Sequence, residues 1–120
     1  MSNQVVDRKC ITPYQWNQGC FGWHLLADPK LSVIEEEVAP GAGEVLHIHH
    51  QAQQFFYVLS GVATIITASQ DFHLKQGQGV AITPETPHQL KNNGTEVLRF
   101  LVISSPPTKN DRENICAGSN

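Results

Sequence analysis

Between about residue 23 and residue 104 the chain is a succession of short apolar runs, each closed by turn-forming residues. This rhythm restricts the fold more than any other feature. The runs cover residues 23–26, 31–38, 45–49, 55–59, 63–67, 72–74, 80–82, 88–91 and 97–104. They are rich in Val, Ile, Phe, Tyr and Thr, side chains that suit a pleated surface. Between them stand Asp28-Pro29, Pro40-Gly41, Ser60-Gly61, Gln76-Gly77, Thr83-Pro84 and Asn92-Asn93-Gly94, which are turn chemistry. No window of about 11 residues carries a helical period in this region. Short, regularly spaced strands without crossover helices predict an all-β sandwich or barrel.

With 120 residues the chain is expected to form one domain around one core. Residues 1–22 mix polar positions with Trp16 and Phe21 and read as an N-terminal arm to a barrel spanning 23–104. Residues 105–120 turn polar after Pro106-Pro107 and read as a tail, either loose or a short helix. The net charge of −3 and eight scattered Lys and Arg residues give no basic stripe, which argues against nucleic-acid binding. No apolar run approaches the ~18 residues of a membrane span. The N-terminal residues hold no apolar stretch of signal-peptide length, so a cytoplasmic protein is expected. Cys10, Cys20 and Cys116 are widely spaced and odd in number, which suits unpaired thiols better than a disulfide framework.

Several runs are apolar on both faces, Phe55-Phe56-Tyr57-Val58-Leu59 above all. One face fills the barrel, and the other needs a cover. A second layer or the arm would serve, but a subunit interface is the preferred reading, and a homodimer is expected.

The sharpest chemical signal is His47-Ile48-His49. In a strand, residues two apart share a face about 6.6–6.8 Å along the backbone, so the two imidazoles can converge on one ion. Such a pair alone is weak. Its setting strengthens it: Gly41 lies six residues before His47, Gln54 five after His49, and Gly61 seven after Gln54. That spacing resembles the first motif of the cupin superfamily, whose fold is a double-stranded β-helix, or jelly-roll, barrel. Residues 77–92 resemble the second motif, with its Gly at Gly77, a Pro-rich turn, His88 and the terminal Asn92 in place. Thr83 stands where the family usually has Pro, Glu85 where it has Gly, and Gln54 where it has Glu. The resemblance implies a metal site of His47, His49, His88 and Gln54 holding one divalent transition ion, whether Fe, Mn, Ni, Co or Zn; three imidazoles and one oxygen suit that group. A neutral Gln ligand would leave the ion its full charge and make it a stronger Lewis acid. Alternatively Gln54 only hydrogen-bonds behind a three-histidine site.

If Gln54 points inward, Phe56 does too, and a mostly apolar pocket lined by Phe56, Ile82, Leu90 and Phe100 is expected. Simple alternation turns Arg99 outward; the opposite parity would aim it at a substrate carboxylate. Glu35 and Glu37 share one face and Glu36 the other, as on a solvated edge. His24, His50 and His73 read as packing, rim and solvent positions. Tyr57 faces away from Gln54, and Tyr14 falls in the arm, so no proton carrier is placed in the pocket. The set His, His, Gln, His is similar to that of a pectin-degradation cupin acting on unsaturated uronates. The acidic residue that family carries on its last strand is missing from Leu98-Arg99-Phe100-Leu101-Val102. The function expected is a metal-dependent enzyme on a small oxygen-rich molecule, sugar or uronate isomerase-like or dioxygenase-like; alternatively, a non-catalytic ligand-binding or structural cupin.

Overall fold

A computed structural model describes residues 3–115. Eleven strands run in chain order: β1 (Tyr14–Asn17), β2 (Cys20–Ala27), β3 (Ser32–Val38), β4 (His47–His49), β5 (Gln53–Ser60), β6 (Ala63–Thr67), β7 (Asp71–Leu74), β8 (Gly79–Ile82), β9 (His88–Lys91), β10 (Leu98–Ser105) and β11 (Arg112–Asn114). They form two antiparallel sheets, ordered β1-β2-β3-β10-β5-β8 and β11-β4-β9-β6-β7. All nine expected strands are present, with ends moved by a few residues. The rhythm of the chain predicts an all-β sandwich or barrel and the cupin resemblance implies its jelly-roll form, and that is the fold.

Three parts depart from expectation. Tyr14–Asn17 and the first residues of β2, read as arm, pair as a hairpin at the sheet's edge. The tail forms no helix among the described residues; Arg112–Asn114 pairs with β4 as a sheet-edge strand. Cys116 and the last four residues lie outside the described residues. The third departure is the glutamate triplet. It is not a solvated edge, because β3 is an interior strand held between β2 and β10. Glu35 is buried on the outer face, where Arg99 and Arg8 meet its carboxylate at 2.7 and 2.6 Å. Arg8 also lies 3.7 Å from the centroid of the Trp23 ring. Arg99 thus points outward, as simple alternation requires.

The inner faces run from an apolar end to a polar end. Along β10 the inward residues are Leu98, Phe100, Val102 and Ser104; along β5 they are Val58, Phe56 and Gln54; along β9, Leu90 and then His88. Leu98, Phe100, Val58, Leu90 and Ile65 are buried together at one end with Cys20 and Val38. Full burial of one such large side chain is worth about 1.5–3 kcal/mol. Asn92 closes that end: its amide donates to Val38 O at 2.9 Å and Glu96 O at 2.8 Å, and its oxygen accepts from Gly94 N at 2.9 Å. The other end carries the polar side chains of the site.

Candidate metal centre

His47 and His49 come from alternate positions of β4 and are both buried, with Ile48 between them on the opposite face. His88 opens β9 and pairs directly with His47 across the sheet. One ring nitrogen from each of the three lies within 4.8 Å of the others. Among the described residues this is the only such cluster of metal-ligating side chains.

Backbone carbonyls decide which nitrogen of each ring is free. His47 Nδ1 lies 2.8 Å from Val45 O, and His88 Nδ1 lies 2.8 Å from Thr86 O. A carbonyl only accepts, so Nδ1 carries the proton in both rings and each Nε2 presents a lone pair inward. His49 Nδ1 is buried and has no hydrogen-bond partner. Burial holds all three imidazoles below their ordinary pKa, His47 at about 3. At neutral pH they stand in the uncharged form that ligates metal.

Gln54 adds an oxygen. Its Nε2 donates to Ser104 Oγ at 3.2 Å, which leaves Oε1 facing His88 Nε2 at 3.2 Å. With His88 protonated on Nδ1, these are two acceptors turned toward each other with no proton between them. A cation removes that conflict. Three imidazole nitrogens and an amide oxygen, all neutral, are a donor set that could hold a first-row divalent ion.

The turn before β9 fixes the third histidine. Glu85, between Pro84 and Pro87, takes φ 67, a left-handed conformation that explains why Gly is usual there. Its backbone N donates to His49 O at 2.7 Å, which ties the turn to β4. His50 leaves β4 outward and contacts Glu85 at 2.5 Å and Glu113 at 2.9 Å. Asp111 accepts from the backbone N atoms of His50, Gln51 and Ala52. The C-terminal strand is thereby fastened beside the histidines. His73 is exposed beside Thr64, and exposed His24 stacks on Tyr14 with centroids 4.8 Å apart.

A cavity of about 510 Å³ opens at this end, with His49 and Gln54 in its wall. Of the four pocket residues expected, Phe56 lines it; Ile82, Leu90 and Phe100 do not. They do point inward, but Leu90 and Phe100 lie where the barrel is filled, and Ile82, opposite Gln54, is packed into the core. The expectation of a mostly apolar pocket is also corrected, because Tyr14, Glu36, Glu44 and Arg112 stand in the wall with Trp16, Ile34 and Val102. Glu44 takes a hydrogen bond from Leu90 N at 3.1 Å and lies 4.0 Å from His47 Nε2 and 3.9 Å from Arg112. Burial pushes its carboxyl up to about 7. Alternation could not have found Glu44, because the strand begins only at His47. Alternation did separate Glu36 from Glu35 and Glu37; the error was to take that face for solvent.

Comparison with known proteins agrees with this architecture. A profile for the cupin domain matches residues 34–104. The chain belongs to the cupin family. This cupin is 31% identical over 86 residues to the uncharacterised protein MJ1618 of Methanocaldococcus jannaschii, covering 72% of this chain and 69% of that one. It is 32% identical over 78 residues to the HTH-type transcriptional regulator PuuR of Escherichia coli, covering 65% of the cupin but 42% of PuuR, less than half of that protein's length. Among solved structures, a sugar phosphate isomerase of the cupin superfamily from Silicibacter pomeroyi superposes with a TM-score of 0.78 at 18% identity, over 87% of this chain and 76% of that one. At that identity the likeness is one of fold.

Proposed function

We propose that this cupin is a metal-dependent enzyme acting on a small oxygen-rich molecule, and that His47, His49, His88 and Gln54 hold its single divalent ion. The observation that carries the reading is the cluster of neutral imidazoles beside an open cavity whose wall also holds ionisable side chains. When bound, the ion would supply Lewis acidity toward a carbonyl or hydroxyl oxygen. The chain's own residues do the rest. Arg112 offers the cavity a cation for a carboxylate or phosphate group. Tyr14, Glu36 and Glu44 offer hydrogen bonds and protons. Trp16 and Phe56 offer flat apolar walls. So many polar groups favour a sugar- or uronate-isomerase type of chemistry over dioxygenation of an apolar substrate.

The test is turnover by the metal-loaded protein, with sugars and uronates followed by NMR and oxygen uptake by electrode. Isomer formation without oxygen uptake is expected. Oxygen uptake would favour the dioxygenase type. A ligand that binds and is returned unchanged would favour the second reading, a non-catalytic ligand-binding module. That reading is supported by the similarity to part of a transcriptional regulator.

The same proposal includes a homodimer and a cytoplasmic location. On the outer face of the larger sheet Phe55 and Tyr57 remain 40% and 37% exposed beside Leu101 and Ile103, an apolar face that a second copy would cover. Among the described residues Cys10 and Cys20 form no disulfide, as suits a reducing compartment.

A further inference from the structure

Glu36 enters the cavity from the middle of β3, and the sheet register sets it in one row with Gly22 and Tyr14 on the inner face. Gly22 stands between the other two. A Cβ on it would lie 2.5 Å from Tyr14 Cζ and 2.6 Å from Tyr14 Oη, so the phenol fills the volume any other side chain would need. Tyr14 therefore lies across β2 on the side of Glu36, backed by the His24 ring. Tyr14 and Glu36 line the cavity that His49 and Gln54 also line, and neither belongs to the proposed ion site.

We propose that Glu36 is the proton-carrying catalytic residue of this cavity and that Tyr14, seated over Gly22, is its positioning residue. This rests on the isomerase-type function proposed above. The Glu36 carboxylate takes the proton from the carbon beside a substrate carbonyl. The C–H electron pair forms the C=C bond of an enediol while the carbonyl π pair moves to oxygen. The proton then returns from Glu36 to the former carbonyl carbon, and the neighbouring hydroxyl gives its own proton to that oxygen. Atoms and electrons balance, with no oxidant and no leaving group.

The surroundings suit the role. Burial and the nearby Glu44 push Glu36 up to about 8, against the pull of Arg112. A proton carrier works best with a pKa near the operating pH. Burial and Glu36 in turn push the Tyr14 phenol up, so it stays a neutral donor. The titratable or charged groups facing Glu36 are Tyr14 from β1, Cys20 from β2, Glu44 from the segment before β4 and Arg112 from β11. Its neighbour on β10, Phe100, carries no charge.

The test is deuterium incorporation from D₂O into D-fructose, D-mannose and D-galacturonate, read by mass spectrometry. It uses the full chain saturated in turn with zinc and with manganese. Glu36→Gln should slow exchange by about 100-fold or more, the usual contribution of a general base, while metal stoichiometry and affinity match wild type. Glu36→Asp should restore part of the rate. Tyr14→Phe should move the midpoint of the pH–rate profile and leave metal binding unchanged. Wild-type exchange that Glu36→Gln leaves untouched would overturn this proposal alone. Absence of exchange in wild type with all three sugars would overturn the isomerase-type reading and this proposal with it.

Discussion

At Gln54 a single amide is oriented by its neighbour: because Ser104 Oγ takes the Nε2 hydrogen, the oxygen turns toward His88. Ser104→Ala should therefore weaken divalent-metal affinity by about 10-fold or more, the usual scale for losing a group that orients a ligand; competition against a chromophoric chelator would measure it. Glu36 makes a separate prediction about stability. Its pKa rises from 4.5 to about 8 on folding, so the folded chain holds a proton that the unfolded chain has already released between those values. The stabilisation is fully present below pH 4.5 and is lost as pH rises through about 8. Glu36→Gln removes this dependence. Its melting temperature should gain on wild type steadily from pH 5 to pH 8, and a constant difference across that window would count against the assignment. The histidines and Gln54 were legible at this scale, since strand alternation and motif spacing name them directly. Glu44, Tyr14 and Arg112 were not, because each reaches the cavity from a segment whose pairing is decided by distant chain.

Strands with apolar alternation announced themselves, and all nine were found. β11 is Arg-Glu-Asn, wholly exposed, and has no such signal; it exists because β4 offers an unpaired edge and Asp111 caps the loop after His49. The hairpin of β1 and β2 was missed for a similar reason: β1 is half polar and buries only one face. Turns behave alike. Asn92 could be named from the second motif, yet its three hydrogen bonds, which join the ends of β3, β9 and the loop before β10, appear only in the fold. Asn92→Ala leaves buried backbone groups unpaired at about 1–3 kcal/mol each, so a loss of at least about 2 kcal/mol in urea unfolding is expected. Glu85→Gly relieves a left-handed residue at a cost of about 1–2 kcal/mol but loosens the unfolded chain and frees His50. A change within about 1 kcal/mol is expected from these opposed effects.

Over the whole molecule, barrel closure separates a filled end from an open one. The filled end takes Leu90 and Phe100 out of the pocket and into the core, Ile82 is packed into the core beside Gln54, and the open end gathers the polar residues. Sequence alternation tells inward from outward but not how far along the barrel the packing extends; hence the pocket was drawn too apolar. The outer apolar face carries the dimer proposal, and Phe55→Lys with Tyr57→Lys should convert a dimer to a monomer in light scattering at constant metal content. The central claim is that one divalent ion sits among His47, His49, Gln54 and His88. It is tested most directly by elemental analysis of protein purified without added metal, beside His49→Ala and His88→Ala variants that retain their folded β signature. The account predicts about one equivalent of a transition metal per wild-type chain and its loss from both variants; metal far below one equivalent, or an equivalent that survives either substitution, would contradict it.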